Sequence, residues 1–225
     1  MKIIEFNGLS GCGKTTLSKA VEESLSGCKI LTRSVFSTHR KKILNSSHLQ
    51  FLLDFLNLKN LKINILITLF AFSYKVNKAR IERILAFVIF TAELNKRIKE
   101  NEGCYLILDQ GILNLLASIP HEYYLKENYI FKKLMKDLQK RYSNMLFIDC
   151  NLQKRDVRQR IRKRNKKDHN FDSLPDDLLD TMLDIKKMNL EIIRDYFEER
   201  AKVLTVDMSS EKEKNVKRII DFIQN

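Results

Sequence analysis

The chain has 225 residues, a length that suits one domain and excludes a large multidomain assembly. Hydrophobic residues make up 44% and charged residues 31%, as in a soluble globular protein, and only 6 Gly and 2 Pro leave little room for flexible linkers. The formal net charge of +13 suits a protein that handles polyanions, which include nucleotides, nucleic acid and acidic membrane surfaces.

The first predicted strand begins at Lys2, so no signal peptide is expected. The most apolar stretch, Ile63 to Tyr74, is too short to span a bilayer and predicts a buried helix, so no membrane association is expected. The four cysteines are scattered without metal-ligand spacing at Cys12, Cys28, Cys104 and Cys150. Reduced thiols in a cytoplasmic protein are therefore expected.

A glycine-rich loop follows the first strand and fits the pattern G-x-x-x-x-G-K-[ST]. Its glycines let backbone N–H groups point at one phosphate chain, while Lys14 carries a charge to the β/γ-phosphates and Thr15 offers a hydroxyl to Mg²⁺. The alternative is a glycine-rich turn that happens to contain a lysine, but a helical pattern follows directly. The predicted nucleotide-binding residues are Gly8, Ser10, Gly11, Cys12, Gly13, Lys14, Thr15 and Thr16.

A second strand is predicted at Lys29 to Thr32, which places Arg33 at the carboxyl edge of the sheet, where open α/β folds bind ligands. Arg33 is therefore a candidate substrate contact. Residues 46–100 then form a predicted helical insert, which includes a helix from Lys78 to Lys99 with Ile81 among its buried positions. This insert is expected to form a wall of the acceptor site, and its apolar helices offer a face for a homodimer.

A near-continuous apolar strand, Cys104 to Asp109, resembles the central strand of a nucleotide-binding sheet. Its terminal acid, Asp109, falls at the carboxyl edge beside the loop, where a carboxylate can hold Mg²⁺ or accept a proton from an attacking hydroxyl. The alternative is an Asp that starts a turn before Gly111.

A basic helix follows the fourth strand, and helical geometry sorts its arginines into two sets. Arg160 and Arg164 flank the seam expected to be buried, so they can lean over a cleft, whereas Arg158 and Arg162 lie toward solvent. Paired guanidinium groups suit a phosphoryl group, although a solvated basic face has the same composition. Residues 158–175 are predicted to form an arginine-containing lid.

Alternating strands and helices predict a three-layer α/β fold with a five-stranded parallel sheet in a single domain over residues 1–225, and with the phosphate-binding loop at its start this arrangement resembles the P-loop NTPase fold of P-loop kinases. The loop, the acid at Asp109, the Arg160–Arg164 pair and the final strand with its Ser-rich loop together resemble the thymidylate kinase and deoxynucleoside kinase group. The resemblance implies that Lys14, Arg160, Arg164 and Asp109 are catalytic. It also implies that Thr15 and Asp109 hold Mg²⁺.

Two positions depart from that group. Gln110 stands where those kinases usually have Arg, and Arg33 precedes Ser34 instead of the Arg-Glu-Pro of thymidylate kinases. The acceptor signature is therefore incomplete. The sequence predicts an ATP- and Mg²⁺-dependent phosphotransferase acting on a small acceptor. A nucleoside or nucleotide is the leading candidate for that acceptor. The alternatives are a kinase of another metabolite and a nucleotide-binding regulatory or nucleic-acid-associated module.

Overall fold

The structure is a computed structural model that describes residues 2–25, 29–31, 60–73, 78–100, 104–119, 128–164, 171, 173–198 and 201–224. Arg33 lies outside these residues, and so do positions 46–59 of the predicted insert and most of 165–172 in the predicted lid.

The described strands form one five-stranded sheet in the order β2-β3-β1-β4-β5, with every pairing parallel. The strands are β1 (Lys2–Asn7), β2 (Lys29–Leu31), β3 (Tyr105–Leu108), β4 (Met145–Asn151) and β5 (Lys202–Asp207). This arrangement confirms the predicted α/β fold with a parallel sheet. The central position of β1 puts the glycine-rich loop at the middle of the carboxyl edge.

Helices cover both faces of the sheet, because β1, β3 and β4 carry buried apolar side chains on both sides. Within the described residues the helices are α1 (Lys14–Ser24), α2 (Leu61–Phe72), α3 (Lys78–Glu100), α4 (Ile112–Leu116), α5 (Tyr129–Arg141), α6 (Lys154–Arg164), α7 (Asp176–Glu198) and α8 (Lys212–Gln224). Helices α2 to α5 pack on the face that carries Ile3, while α1, α6 and α8 pack on the face that carries Ile4 and Phe6.

Two details of the helical insert differ from expectation. Helix α2 is not buried all round, because Leu69 and Phe72 are 48% and 61% exposed. In α3 the buried face runs through Ile84, Phe87 and Val88, whereas Ile81 is 43% exposed. A run that is apolar on every side has no periodicity to show which side packs inward, so the sequence could not orient α2.

No helix among the described segments is long and apolar enough to cross a bilayer.

A carboxyl group lies inside the sheet core. Glu5, in the middle of β1, is fully buried on the face covered by α4. Burial raises the pKa of its carboxyl from 4.5 to about 8, although hydrogen bonds from backbone N–H groups at the start of α4 act in the opposite direction. Glu5 is therefore mostly neutral at pH 7.

Replacing this carboxyl with an amide should change how stability depends on pH. The unfolded chain ionises Glu5 near pH 4.5 and the folded chain near pH 8, so the folded state holds the extra proton between these values. The free energy of unfolding of the wild type should fall there as pH rises, by at most ~1.4 kcal/mol per pH unit, and level off above that range.

Glu5→Gln removes this titration. Urea denaturation from about pH 5.5 to about pH 8.5 should show the wild type losing stability relative to Glu5→Gln as pH rises. A stability difference that stays constant across this range would contradict the raised pKa.

Candidate active site

The glycine-rich loop between β1 and α1 adopts backbone angles that favour glycine. Gly8, Gly11 and Gly13 have φ of 135°, 89° and 104°. Gly8 also has no room for a side chain, since a Cβ there would lie 2.5 Å from the carbonyl oxygen of Cys150. The loop can therefore fold close to β4 and expose its backbone N–H groups only with glycine at these positions.

Lys14 begins α1 and is 5% exposed. Its Nζ donates hydrogen bonds to the carbonyl oxygens of Gly8 and Leu9 at 2.9 and 2.7 Å. The ammonium group thus lies inside the curve of the loop, where an anion held by the backbone N–H groups would also lie.

Thr15 and Asp109 meet at the carboxyl edge of the sheet. The Thr15 hydroxyl donates to Asp109 Oδ2 at 2.8 Å. Asp109 follows β3 and is 4% exposed, and its second oxygen, Oδ1, is buried without a hydrogen-bond partner among the described residues. The Asp109 carboxylate, with one oxygen left unsatisfied, and the Thr15 hydroxyl together offer two hard oxygen ligands of the kind that Mg²⁺ prefers.

Helix α6 lies directly on the loop. Ile161 is fully buried, and a Cβ on Gly11 would lie 3.0 Å from its Cγ1. From the same helix Arg160 Nη1 donates to the carbonyl oxygen of Cys12 at 3.0 Å, and its Nη2 donates to that of Met208 at 3.4 Å. Arg160 therefore joins the loop to the segment after β5. Arg164, the last residue of α6, is half-buried.

A set of ion pairs, here called the α6–α7 ladder, joins the opposite side of α6 to α7. Its pairs are Lys154–Asp184 at 2.8 Å, Arg158–Asp180 at 3.1 Å and Arg162–Asp176 at 2.6 Å. Exposed pairs of this kind contribute about 1 kcal/mol or less each, and their regular spacing matches the register of two antiparallel helices. The ladder lies on the side of α6 opposite to Arg160 and pairs Arg158 and Arg162, which the sequence placed toward solvent.

Two buried thiols meet at the loop: Cys12, which belongs to the loop and is one of the predicted nucleotide-binding residues, and Cys150 of β4, for which the sequence predicted no role. A hydrogen bond from Cys150 and the nearby Lys14 ammonium lower the pKa of Cys12, although burial opposes the shift. The pKa of Cys150 is raised, because its hydrogen bond to Cys12 and its burial favour the neutral thiol. Lys14 Nζ also lies 3.7 Å from Cys12 Sγ, so the inner wall of the loop favours negative charge.

The structure brings four predicted residues to one place: Lys14, Thr15, Asp109 and Arg160. No placement of Arg33 is described, and the catalytic roles of all these residues remain predictions. Among the described residues no group of three or more His, Cys, Asp or Glu is placed to hold a metal ion. A Mg²⁺ bound with phosphates needs only one or two protein ligands, so the Thr15–Asp109 pair is sufficient.

Comparisons with known proteins agree on the fold. No protein-family model and no curated protein matches the chain. Deoxyadenosine kinase from M. mycoides, solved with the products dCMP and a flexible dCDP bound, matches with a TM-score of 0.60 and 17% identity, covering 100% of this chain and 99% of that chain. The same kinase with bound dATP matches with a TM-score of 0.54 and 17% identity, covering 100% of both chains.

Thymidylate kinase from Candida albicans matches with a TM-score of 0.56 and 18% identity, covering 99% of this chain and 90% of that chain. These matches confirm the predicted resemblance over the full length of the chain. At such identities the likeness is one of fold, and function has to be argued from the site.

Proposed function

We propose that the protein is a P-loop kinase that transfers the γ-phosphoryl group of ATP to a small acceptor of the nucleoside or nucleotide class. The observation that carries this proposal is the contact between Thr15 and the buried carboxylate of Asp109 beside a loop that encloses Lys14. Loop amides, a lysine, a hydroxyl and a carboxylate are the parts that phosphoryl transfer requires of a protein.

The residues present fit a magnesium nucleotide. Three glycines at positive φ let the loop amides face a phosphate chain, and the Asp109 oxygen without a partner among the described residues gives a cation a ligand. Thr15 and Asp109 would hold the ion, which supplies neutralisation of phosphate charge when bound.

Each residue then has a defined task. Lys14 can exchange its bonds to the Gly8 and Leu9 carbonyl oxygens for phosphate oxygens with little movement, because its ammonium already lies in the loop. Arg160 spans the loop and the segment after β5, so its guanidinium can stabilise charge on a transferring group and cover the donor. Asp109 is also a candidate base for the acceptor hydroxyl.

The nucleoside or nucleotide class of acceptor is supported by the fold neighbours. The M. mycoides kinase is described with dCMP, dCDP, dCTP and dATP, and the Candida albicans enzyme is a thymidylate kinase. Arg33 is the predicted acceptor contact, but the acceptor signature is incomplete. Experiment therefore has to distinguish a nucleoside from a nucleoside monophosphate as the acceptor. An ATP-consumption screen over nucleosides, nucleoside monophosphates and small alcohols makes that choice.

Lys14→Ala should abolish turnover while the protein stays folded, because the sheet core does not include the loop ammonium. We expect a loss of at least about 100-fold in kcat, the scale of removing one preorganised charge-stabilising group. Lys19→Ala, on the exposed side of the same helix, is the matched control and should retain activity. Thermal unfolding establishes that both variants are folded. Normal turnover by folded Lys14→Ala would refute the assignment of the loop.

Asp109→Asn keeps the shape of the side chain and removes its charge. Turnover should fall strongly, and the Mg²⁺ concentration for half-maximal rate should rise by about tenfold or more, because an amide is a poor ligand for Mg²⁺. Binding of a fluorescent ATP analogue without Mg²⁺ should change little. If both the rate and the Mg²⁺ dependence were unchanged, Asp109 would be removed from the site.

A second candidate function, a nucleic-acid-associated module, is favoured by the net charge of +13. The α6–α7 ladder argues against it, since acids of α7 already pair with three of the basic residues in α6. We expect no binding of a generic oligonucleotide at about 150 mM salt. Tight binding that weakens steeply with added salt would favour the second function.

A further inference from the structure

The buried Glu5 carboxyl contacts the helix that follows Asp109. Glu5 Oε1 accepts hydrogen bonds from the backbone N–H groups of Leu113 at 2.8 Å and Asn114 at 3.4 Å. These groups belong to α4, whose first residues have no intrahelical partner for their N–H groups. The carboxyl on β1 therefore caps a helix more than a hundred positions away in sequence.

Gly111 makes this contact possible. It stands at the N-cap of α4 and supplies no side-chain hydrogen bond of its own. Its φ of −114° is open to any residue, but a Cβ there would lie 2.5 Å from both Cδ and Oε2 of Glu5. The glycine is therefore required for space, and the capping oxygen comes from Glu5 instead.

A second tie joins the same helix to β1. Asn114 Nδ2 donates to Asn7 Oδ1 at 2.9 Å and to the carbonyl oxygen of Phe6 at 3.2 Å. Asn7 is 4% exposed and directly precedes the loop. Strand β1, which leads into the loop, is thus hydrogen-bonded to the first turn of α4, the helix that follows Asp109.

These contacts hold the turn that carries Asp109 from two sides. On one side the Thr15 hydroxyl holds Asp109, and on the other side Glu5 holds the amides that follow Gly111. The three-residue turn from Asp109 to Gly111 lies between these two attachments. Its backbone position sets where the Asp109 carboxylate points.

We propose that Glu5 is a positioning residue that fixes the turn 109–111, and through it the Asp109 carboxylate, relative to the loop. Glu5 acts only through backbone N–H groups and touches neither donor nor acceptor. Its effect on turnover rests on the proposed kinase function, whereas its effect on the turn can be measured without any reaction. Gln is the conservative replacement, because its amide keeps the carbonyl oxygen that accepts from Leu113.

Amide hydrogen exchange on the ligand-free protein tests the positioning. In Glu5→Ala the Leu113 amide should exchange about tenfold faster or more, while Glu5→Gln should stay near the wild type. The exchange of β4 amides in each variant serves as the internal reference for global stability. An unchanged rate at Leu113 in Glu5→Ala, or acceleration of all amides to the same degree, would overturn the proposal.

Kinetics test the consequence for the site. Glu5→Ala should lower kcat and raise the Mg²⁺ concentration for half-maximal rate, with little change in binding of the ATP analogue without Mg²⁺. Glu5→Gln should restore both values. A Glu5→Ala enzyme with wild-type kcat and Mg²⁺ dependence would overturn the positioning role.

Gly111→Ala approaches the same contact from the other side and serves also if Glu5→Ala fails to fold. Its added methyl group should push the turn away from the carboxyl and raise the Mg²⁺ requirement. In Glu5→Ala/Gly111→Ala the clash is gone, so the two effects should be less than additive. Full additivity would overturn the contact. If the wild type phosphorylated no acceptor while the Leu113 exchange changed as expected, the kinase proposal would fail and the positioning of the turn would stand.

Discussion

The parallel pairing of β1 with β3 on one side and β4 on the other is the constraint on which the site depends. The register sets Glu5 beside Leu108 and Asn7 beside Asp149, so the three strands run out at the same edge, with β3 ending two residues before β1 and β4 two residues after it. Because carboxyl ends of parallel strands share one edge, Thr15 reaches Asp109 although 94 positions separate them in sequence.

The parts of the site that the sequence predicted are those whose chemistry is local. The spacing of the loop glycines determines where Lys14 and Thr15 lie, and an acid that ends a buried strand must fall at the same edge. Helix geometry also predicted which face of α6 carries Arg160. It could not predict that Arg158 pairs with Asp180, because that partner lies on another helix and leaves no trace in the period of α6.

Other features depended on packing that no local pattern encodes. In an alternating strand, Glu5 has the pattern of a residue that faces water, and its burial follows only from the position of α4. The sole sequence signal was Gly111, which is read more simply as a turn residue. The exposed residues of α2 were missed for a related reason, since a uniformly apolar helix has no face that sequence can identify.

At the turn after β3, buried polar atoms lower the stability of the fold but fix the geometry of the site. A buried oxygen without a partner among the described residues lies on each side of it, Oδ1 of Asp109 and Oε2 of Glu5, and each such atom costs free energy that an apolar side chain would not. A hydrophobic residue at position 5 would pack against α4 without this cost, but it could not accept the N–H groups of that helix. The Asp109 carboxylate must meet the Thr15 hydroxyl, and its position is therefore set by the second, buried carboxyl of Glu5. The central strand β1 carries Glu5 and through it positions Asp109.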